Sequence, residues 1–382
     1  MSSCWHKGGD KGHKTEFTVT WDTGRRCNYD CSYCPPSRHD KISIHPSLDE
    51  LKETSQFIFD YKELLDSYMT DKLVWKVSLT GGEPTINPHF AQFVEFLSTK
   101  KSETFKVGVT TNGHTNKNTL ELIGEHMHSC TVSYHCENSD STKKRILNNI
   151  VYLSKLMPDW ALKINVMFHA RHDYFEECKK VCEFLSDKGI KYIPRSIGEG
   201  VKSKTKNKLY ANDAHLYTAE QDKWFKNYWD LARGDKAEVG EPEVGHNIRE
   251  QGRPCCGGRS FTIGHDDGTI EETNYASFTG FQNWYCFINL FWLHIEQQEK
   301  LIYHHQTCRA NFNKTLSSIG TTDNTDRILK RVEGWLKSGK MPVITCPNSI
   351  CNCGLCITKA KNRDDATKFL KEILPSVEPV YG

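Results

Sequence analysis

"TEFTVTWDTGRRCNYDCSYCPP" (residues 15–36) begins as a strand and runs directly into a loop holding Cys27, Cys31 and Cys34. The spacing is C-x3-C-x2-C. The strand is the first of several built on one plan. "SLDELKETSQFIFDYKELLDSY" (47–68) predicts a helix, with Ser47 and Glu50 as a capping box and apolar positions at helical spacing. "KLVWKVSLTGGEP" (72–84) is a strand and loop, and "PHFAQFVEFLSTK" (88–100) a helix with Pro88 near its start. "TFKVGVTTNG", "SCTVSYHCE", "LKINVMFHA" and "IKYIPRSIGEG" read as further strands. Helices "NTLELIGEHM", "TKKRILNNIVYLSKL" and "DYFEECKKVCEFLSDKG" separate them, the last closed by Gly189.

Six strand–helix units over residues 16–200 imply a parallel sheet with right-handed crossovers. Such a sheet is either open and doubly wound or a whole or partial barrel. In both, ligands gather at the C-terminal strand ends. The cysteine loop, "TGGEPT" and "TTNG" each come directly after a strand, so they meet at one mouth. Beyond residue 200 the pattern changes. Residues 201–250 read as a polar, lysine-bearing linker, "VKSKTKNKLYANDAH", and one helix, "AEQDKWFKNYWDLARG". The lysine run reads as solvated surface, with phosphate contact the alternative. Residues 251–382 form a cysteine-rich region of turns and hairpins that includes a late helix, "RDDATKFLKEIL".

Composition narrows the class. The 382 residues are 37% hydrophobic, enough for a sizeable core. Fifty Lys and Arg against 48 Asp and Glu give +2, which promises nothing to nucleic acid. No apolar run reaches the roughly 18 residues of a membrane span. "MSSCWHKGGDKGHK" lacks a signal-peptide core, so a cytoplasmic protein is expected. Its 16 cysteines are then buried hydrophobes or metal ligands rather than disulfides. Cys178 and Cys182, four apart on a helix, suit one buried face. The close triad suits metal. Three soft thiolates fit a [4Fe–4S] cubane and leave its fourth iron open. Zinc, which favours paired C-x2-C knuckles, is the competing reading.

With Tyr33 just before the third cysteine and "GGEP" (Gly81, Gly82, Glu83, Pro84) after the second strand, the sequence resembles the radical S-adenosylmethionine (SAM) enzymes. The resemblance covers about residues 16–200. It implies a partial (βα)6 TIM-like barrel, a SAM-binding [4Fe–4S] cluster on Cys27, Cys31 and Cys34, and SAM itself. It places the GGEP loop at the SAM amino group and Tyr33 beside the adenine. Ser133 and Arg145 resemble residues that hold the SAM ribose and carboxylate in one branch of the family. Asn112 ends the third strand at the same mouth.

Eight cysteines lie toward the C-terminus: Cys255, Cys256, Cys286, Cys308, Cys346, Cys351, Cys353 and Cys356. The family carries auxiliary-cluster extensions called SPASM and twitch, and this region is similar to them. Cys286, Cys308, Cys353 and Cys356 are the expected ligands of at least one auxiliary [4Fe–4S] cluster, with Cys346 and Cys351 as alternates; eight cysteines would suffice for two, and zinc or no metal is the other alternative. The longer C-x2-C-x5-C-x3-C pattern and a hairpin glycine between Cys286 and Cys308 are missing. Cys255 and Cys256 are candidate catalytic thiols or buried residues. The resemblance implies an α+β auxiliary domain, a flavodoxin or ferredoxin donor, and hydrogen abstraction from a small molecule or peptide. Only 26 residues precede Cys27, which leaves no room for a peptide-recognition domain there. A nucleotide- or RNA-modifying radical enzyme and a zinc-binding module without catalysis are the alternatives.

Overall fold

The computed structural model describes residues 16–34, 39–69, 74–197, 214, 216–233, 260–263, 280–282, 318–321, 325–343, 364, 367, 371 and 374–381. β1 (Glu16–Asp22), α1 (Leu48–Asp66), β2 (Val74–Thr80), α2 (Phe90–Ser98), β3 (Phe105–Thr111) and α3 (Lys117–His126) come first. β4 (Ser129–His135), α4 (Asp140–Leu156), β5 (Leu162–Phe168), α5 (His172–Asp187), β6 (Tyr192–Ser196) and α6 (Ala219–Arg233) complete the alternation. α1 carries the expected capping box, with Ser47 and Glu50 each bonding the other's backbone.

The choice left open by the sequence is settled by strand order. β1 to β6 lie side by side in chain order and every pairing among them is parallel. Each crossover therefore steps the same way. With right-handed crossovers, all the helices fall on one face. A doubly wound sheet reverses order at a switch point; this one does not. It is a partial barrel, closed outside by helices and concave inside.

The helix-facing side is the core. Trp75, Val77 and Leu79 of β2 are at most 1% exposed. Trp75 meets the Tyr61 ring of α1 at 5.8 Å, and Trp21 meets Phe93 of α2 edge-on at 5.3 Å. Phe168 at the end of β5 lies among Phe175, Trp224 and Phe225. The alternate residues of β2, Lys76, Ser78 and Thr80, are only partly buried. β3, β4 and β5 obey the same rule, with Lys106, Thr110, Thr131, Ser133, Lys163 and Asn165 between buried neighbours. Strands covered by protein on both faces read as near-continuous apolar runs. These alternate, so their second face is an open lumen.

The sheet continues past β1. β7 (Ser260–Ile263) pairs with β1 in parallel, and β8 (Gly280–Gln282) and β9 (Ser318–Thr321) extend it antiparallel. One helix is absent from the sequence reading. α7 (Thr325–Ser338) sets Leu329, Val332 and Leu336 on one stripe, with Val332 and Leu336 buried, and packs on α1. Spacings of three and four mark it as amphipathic. β10 (Lys340–Val343) and β11 (Glu378–Tyr381) form a separate parallel pair. Asp364, Thr367 and Lys371, within the expected late helix, are helical. No helix among the described residues is long and apolar enough to cross a membrane.

Candidate active site

The cysteine loop is a docked structure. Cys27 N–H donates to the Asp40 carbonyl at 2.8 Å, and Asp40 N–H donates to the Arg25 carbonyl at 3.0 Å. The Asp40 carboxylate accepts from the backbone of Ile42 and Ser43, at 2.9 and 2.7 Å, and lies 3.3 Å from the Arg25 guanidinium. A turn from Cys34 N–H to the Cys31 carbonyl, 3.0 Å, brings the last two cysteines together.

The GGEP segment holds this loop from below. Gly82 N–H donates to the Gly24 carbonyl at 2.7 Å, and Glu83 N–H to the Arg26 carbonyl at 2.9 Å. A Cβ on Gly81 would collide with the Gly24 carbonyl oxygen, and one on Gly82 with those of Arg25 and Arg26. Gly81 also sits at φ +132°, where a side chain is strained. The glycines thus let two strand-end loops touch through bare backbone. Pro84 is buried and opens a short 3-10 turn, Pro84–Ile86.

Glu83, 3% exposed, is knitted into the mouth. Its carboxylate accepts from Thr85 N–H at 3.1 Å, the Thr85 hydroxyl at 2.6 Å, the Thr111 hydroxyl at 2.7 Å and Asn112 N–H at 2.6 Å. Burial raises its pKa against the pull of those bonds. Most of its acceptor capacity is spent inside the protein, so its first effect is to fix Asn112. The Asn112 amide then donates to Asn28 Oδ1 at 2.7 Å, within the cysteine loop, and also reaches the Cys27 thiol.

Tyr29 is 5% exposed, and its ring lies 5.8 Å from His114 and 5.9 Å from His135. Its hydroxyl and His114 Nδ1 are buried without a hydrogen-bond partner among the described residues. Burial, then Glu83 and two thiols, holds the Tyr29 phenol well above its usual range. Arg145, on α4, opposes that shift; burial and then the Arg145 charge lower the His114 pKa. The guanidinium donates to the Thr115 carbonyl at 3.0 Å. Ser133 lies on the lumen side of β4, two residues before His135.

Tyr33 reaches the end of β4. Its hydroxyl is 2.6 Å from His135 Nδ1, and the two rings stack at 6.0 Å. Burial drops the His135 pKa to about 4, so the ring is neutral near pH 7. The Tyr33 hydroxyl and the neutral ring thus share one hydrogen bond at Nδ1. Beside them, Glu137 accepts from Ser32 N–H at 2.8 Å and from the Ser32 hydroxyl, and lies 3.6 Å from His169 Nε2. Asp40, Tyr29, His114, His135, Glu137 and His169 are not among the residues that the sequence singles out. A signal was there: "HCE" and "HA" come after β4 and β5 just as the cysteines come after β1.

Do the three thiols fit an iron–sulfur cube? Burial raises Cys27 to about 11. It raises Cys31 further, with Cys34, Glu137 and Cys27 adding repulsion. The sulfurs are therefore close enough to repel as thiolates, and the charges that burden Cys31 are negative. A cationic metal core is what such a set lacks. Among the described residues, no three His, Cys, Asp or Glu converge as ligands of a single ion would. A cube spreads its thiolates over separate irons and needs no such convergence. The donor set fits the cluster.

The helix face of α5 answers the Cys178 and Cys182 expectation: both are buried there. Cys255, Cys256, Cys286, Cys308, Cys346, Cys351, Cys353 and Cys356 lie outside the described residues.

A family model for the Radical SAM superfamily matches residues 21–193, the segment from β1 to β6. That segment is a radical SAM domain, a class that implies a [4Fe–4S] cluster and SAM. Over 89 residues the chain is 33% identical to GTP 3′,8-cyclase of Campylobacter fetus subsp. fetus (strain 82-40), covering 23% of this chain and 25% of that protein. GTP 3′,8-cyclases of Haemophilus influenzae (strain ATCC 51907 / DSM 11121 / KW20 / Rd) and Pasteurella multocida (strain Pm70) are each 32% identical over the same length, covering 23% of this chain and 24% and 23% of theirs. The chain thus matches about a quarter of the length of these curated relatives. A crystal structure of BtrN in complex with AdoMet and 2-DOIA aligns at 15% identity and a TM-score of 0.25, over 55% of this chain and 86% of that one. At that score the likeness has no weight.

Proposed function

We propose that this protein is a radical SAM enzyme. In this reading Cys27, Cys31 and Cys34 hold the cluster, and SAM occupies its open iron. Cluster and SAM together would supply radical chemistry at the cost of one electron from an external reductant, with methionine released and a hydrogen atom removed from an unactivated carbon of the substrate. The chain's own residues position and shield. Asp40 and the two GGEP glycines fix the cysteine loop, Glu83 fixes Asn112, and Asn112 holds the Cys27 end of the loop. Tyr33, tied to His135, holds an aromatic face beside Cys34, where the adenine is placed. The Tyr29 hydroxyl and His114 Nδ1 are buried polar atoms awaiting a partner, and with Ser133 and Arg145 they are candidates for the polar parts of SAM. The observation that carries this reading is the docking of the cysteine loop on bare glycine backbone at the C-terminal end of the strands.

Anaerobic reconstitution with iron and sulfide counts, a visible spectrum, and incubation with SAM and dithionite test it. The expected product is 5′-deoxyadenosine, abolished in Cys31→Ala. A colourless, iron-poor wild type, or a loaded one that leaves SAM intact, refutes the assignment. Cys286, Cys308, Cys353 and Cys356, with Cys346 and Cys351 as alternates, are proposed to hold one auxiliary [4Fe–4S] cluster. Iron near eight rather than about four per chain tests that. A reduced flavodoxin or ferredoxin is the proposed donor, and the net reaction an oxidation or bond formation on a small molecule or peptide, with Cys255 or Cys256 able to return a hydrogen atom. A nucleotide substrate is the second reading, favoured by the 89-residue match to proteins named for action on GTP. Mass spectrometry of GTP incubated with the reduced enzyme decides between the two.

A further inference from the structure

The cysteine loop is held from two sides. Its first half, Arg25 to Cys27, is docked on Asp40 and on the GGEP backbone. Its second half is gripped by Glu137, in the turn after β4 and 105 residues away in sequence. One carboxylate oxygen accepts from Ser32 N–H at 2.8 Å, and the other accepts from the Ser32 hydroxyl. Ser32 lies between Cys31 and Cys34, in the turn closed by the bond from Cys34 N–H to the Cys31 carbonyl. One acidic side chain thus fixes the residue next to one thiol and two before another.

Two oxygens that both accept belong to an ionised carboxylate. His169 presents Nε2 to it at 3.6 Å, while His169 Nδ1 accepts from Arg171 N–H at 3.0 Å. A ring that accepts at one nitrogen is not an imidazolium, so His169 leaves the negative charge in place. Among the described residues no lysine or arginine pairs with Glu137. Its side chain is only 17% exposed, so water and salt screen the charge weakly. That charge reaches the thiols: burial, then Cys34, then Glu137 raises the Cys31 pKa.

Net charge and hydrogen bonds to sulfur are two of the levers that set the potential of a thiolate-held cluster. Glu137 moves both in one direction. It adds a negative charge close to Cys31, and it takes up the Ser32 N–H, a donor that sulfur would otherwise compete for. Each disfavours an added electron. A cluster of low potential is the stronger reductant once charged, which suits cleavage of a sulfonium.

We propose that Glu137 is a positioning residue that fixes the Cys31–Cys34 turn through Ser32 and holds the reduction potential of the bound [4Fe–4S] cluster low. This deepens the radical SAM reading and rests on it.

The test is an EPR-monitored redox titration of the anaerobically reconstituted full chain without SAM, following the signal that is missing from Cys31→Ala. Glu137→Gln keeps an acceptor for Ser32 N–H and removes the charge. Its ratio of reduced to oxidised cluster at a fixed potential should rise about tenfold, about 59 mV for one electron. Glu137→Asp keeps the charge and should shift the ratio much less. Glu125→Gln, which removes an exposed carboxylate from α3, should not shift it. Iron counts and melting curves accompany each variant. The proposal is overturned by a loaded Glu137→Gln at or below the wild-type potential, by a Glu137→Asp shift as large, or by an equal rise in Glu125→Gln. Should Glu137→Gln not hold iron, Glu137→Ala is titrated in its place; if neither loads, Glu137 is a structural support alone and the proposal falls. Wild-type SAM cleavage is measured on the same preparation. A loaded wild type that leaves SAM intact removes the radical reading, while the titration still decides for or against Glu137. 5′-Deoxyadenosine with an unshifted Glu137→Gln removes the Glu137 role alone. A wild type without the Cys31-dependent signal removes both.

Discussion

The two faces of β2 are made from one heptapeptide, "VWKVSLT", and share no chemistry. Trp75, Val77 and Leu79 are sealed beneath α1 and α2, while Lys76, Ser78 and Thr80 line the lumen. The first set is under packing constraint, where a lost methylene is felt. The second is only partly buried and lies outside that packing. The contrast teaches that in this barrel alternate positions of one strand carry unequal shares of the packing, so substitutions one residue apart should have unlike consequences.

The largest effect on folding is expected on the sealed face. Trp75 is fully buried against Tyr61, so Trp75→Ala should cost about 3–5 kcal/mol in denaturant melts. Less than about 1 kcal/mol would mean that this face is not the core. Gly82→Ala comes next. Its Cβ would press on the Arg25 and Arg26 carbonyls, backbone that cannot swing aside, so about 2–3 kcal/mol is expected, together with reduced iron uptake. A variant that keeps wild-type stability and full iron would show that the cysteine loop does not need this close approach.

Much of this was legible in the sequence, for identifiable reasons. The six strand–helix units announce themselves because each strand and helix carries its own period and caps, Ser47 with Glu50 being the clearest. The triad and GGEP were visible because rare residue types sit at close spacing. The partial barrel was not separable from a doubly wound sheet, because strand order is a long-range property that local periods do not encode. Glu83 was legible as a site residue, yet its four internal hydrogen bonds were not: Thr111 and Asn112 lie 28 and 29 residues away. His135 and His169 were lost among 17 histidines because strand-end position, the signal that marks "HCE" and "HA", was read only for the cysteine, GGEP and TTNG loops. α7 has a regular apolar stripe at Leu329, Val332 and Leu336, so its absence from the sequence reading has no physical excuse.

His135 sharpens the comparison from the lumen side, since it belongs to the ligand face yet is packed between Tyr29 and Tyr33. Burial, aided by the charge of His39, lowers its pKa from 6.5 to about 4. Between those values the unfolded chain binds a proton that the native protein refuses. Stability should therefore fall as pH drops from about 6.5 to about 4, by at most about 3 kcal/mol from this group, and level off below. The difference between wild type and His135→Gln, measured by urea melts from pH 7 to 4, isolates it. A difference independent of pH would mean that the native ring takes up its proton as readily as the unfolded one.

Ser78→Ala is the smallest expected change and the most direct test of the contrast. Ser78 sits between Val77 and Leu79, on the other face, partly buried, with Gly108 as its register neighbour on β3. Removing its hydroxyl creates no cavity in the helix-facing core, so stability should stay within about 0.5 kcal/mol. Val77→Ala, one position earlier, removes two methyl groups from a sealed site and should cost roughly 1–3 kcal/mol. If Ser78→Ala cost as much as Val77→Ala, the concave face would be part of the packed core, and a lumen that holds substrate would have no room to exist.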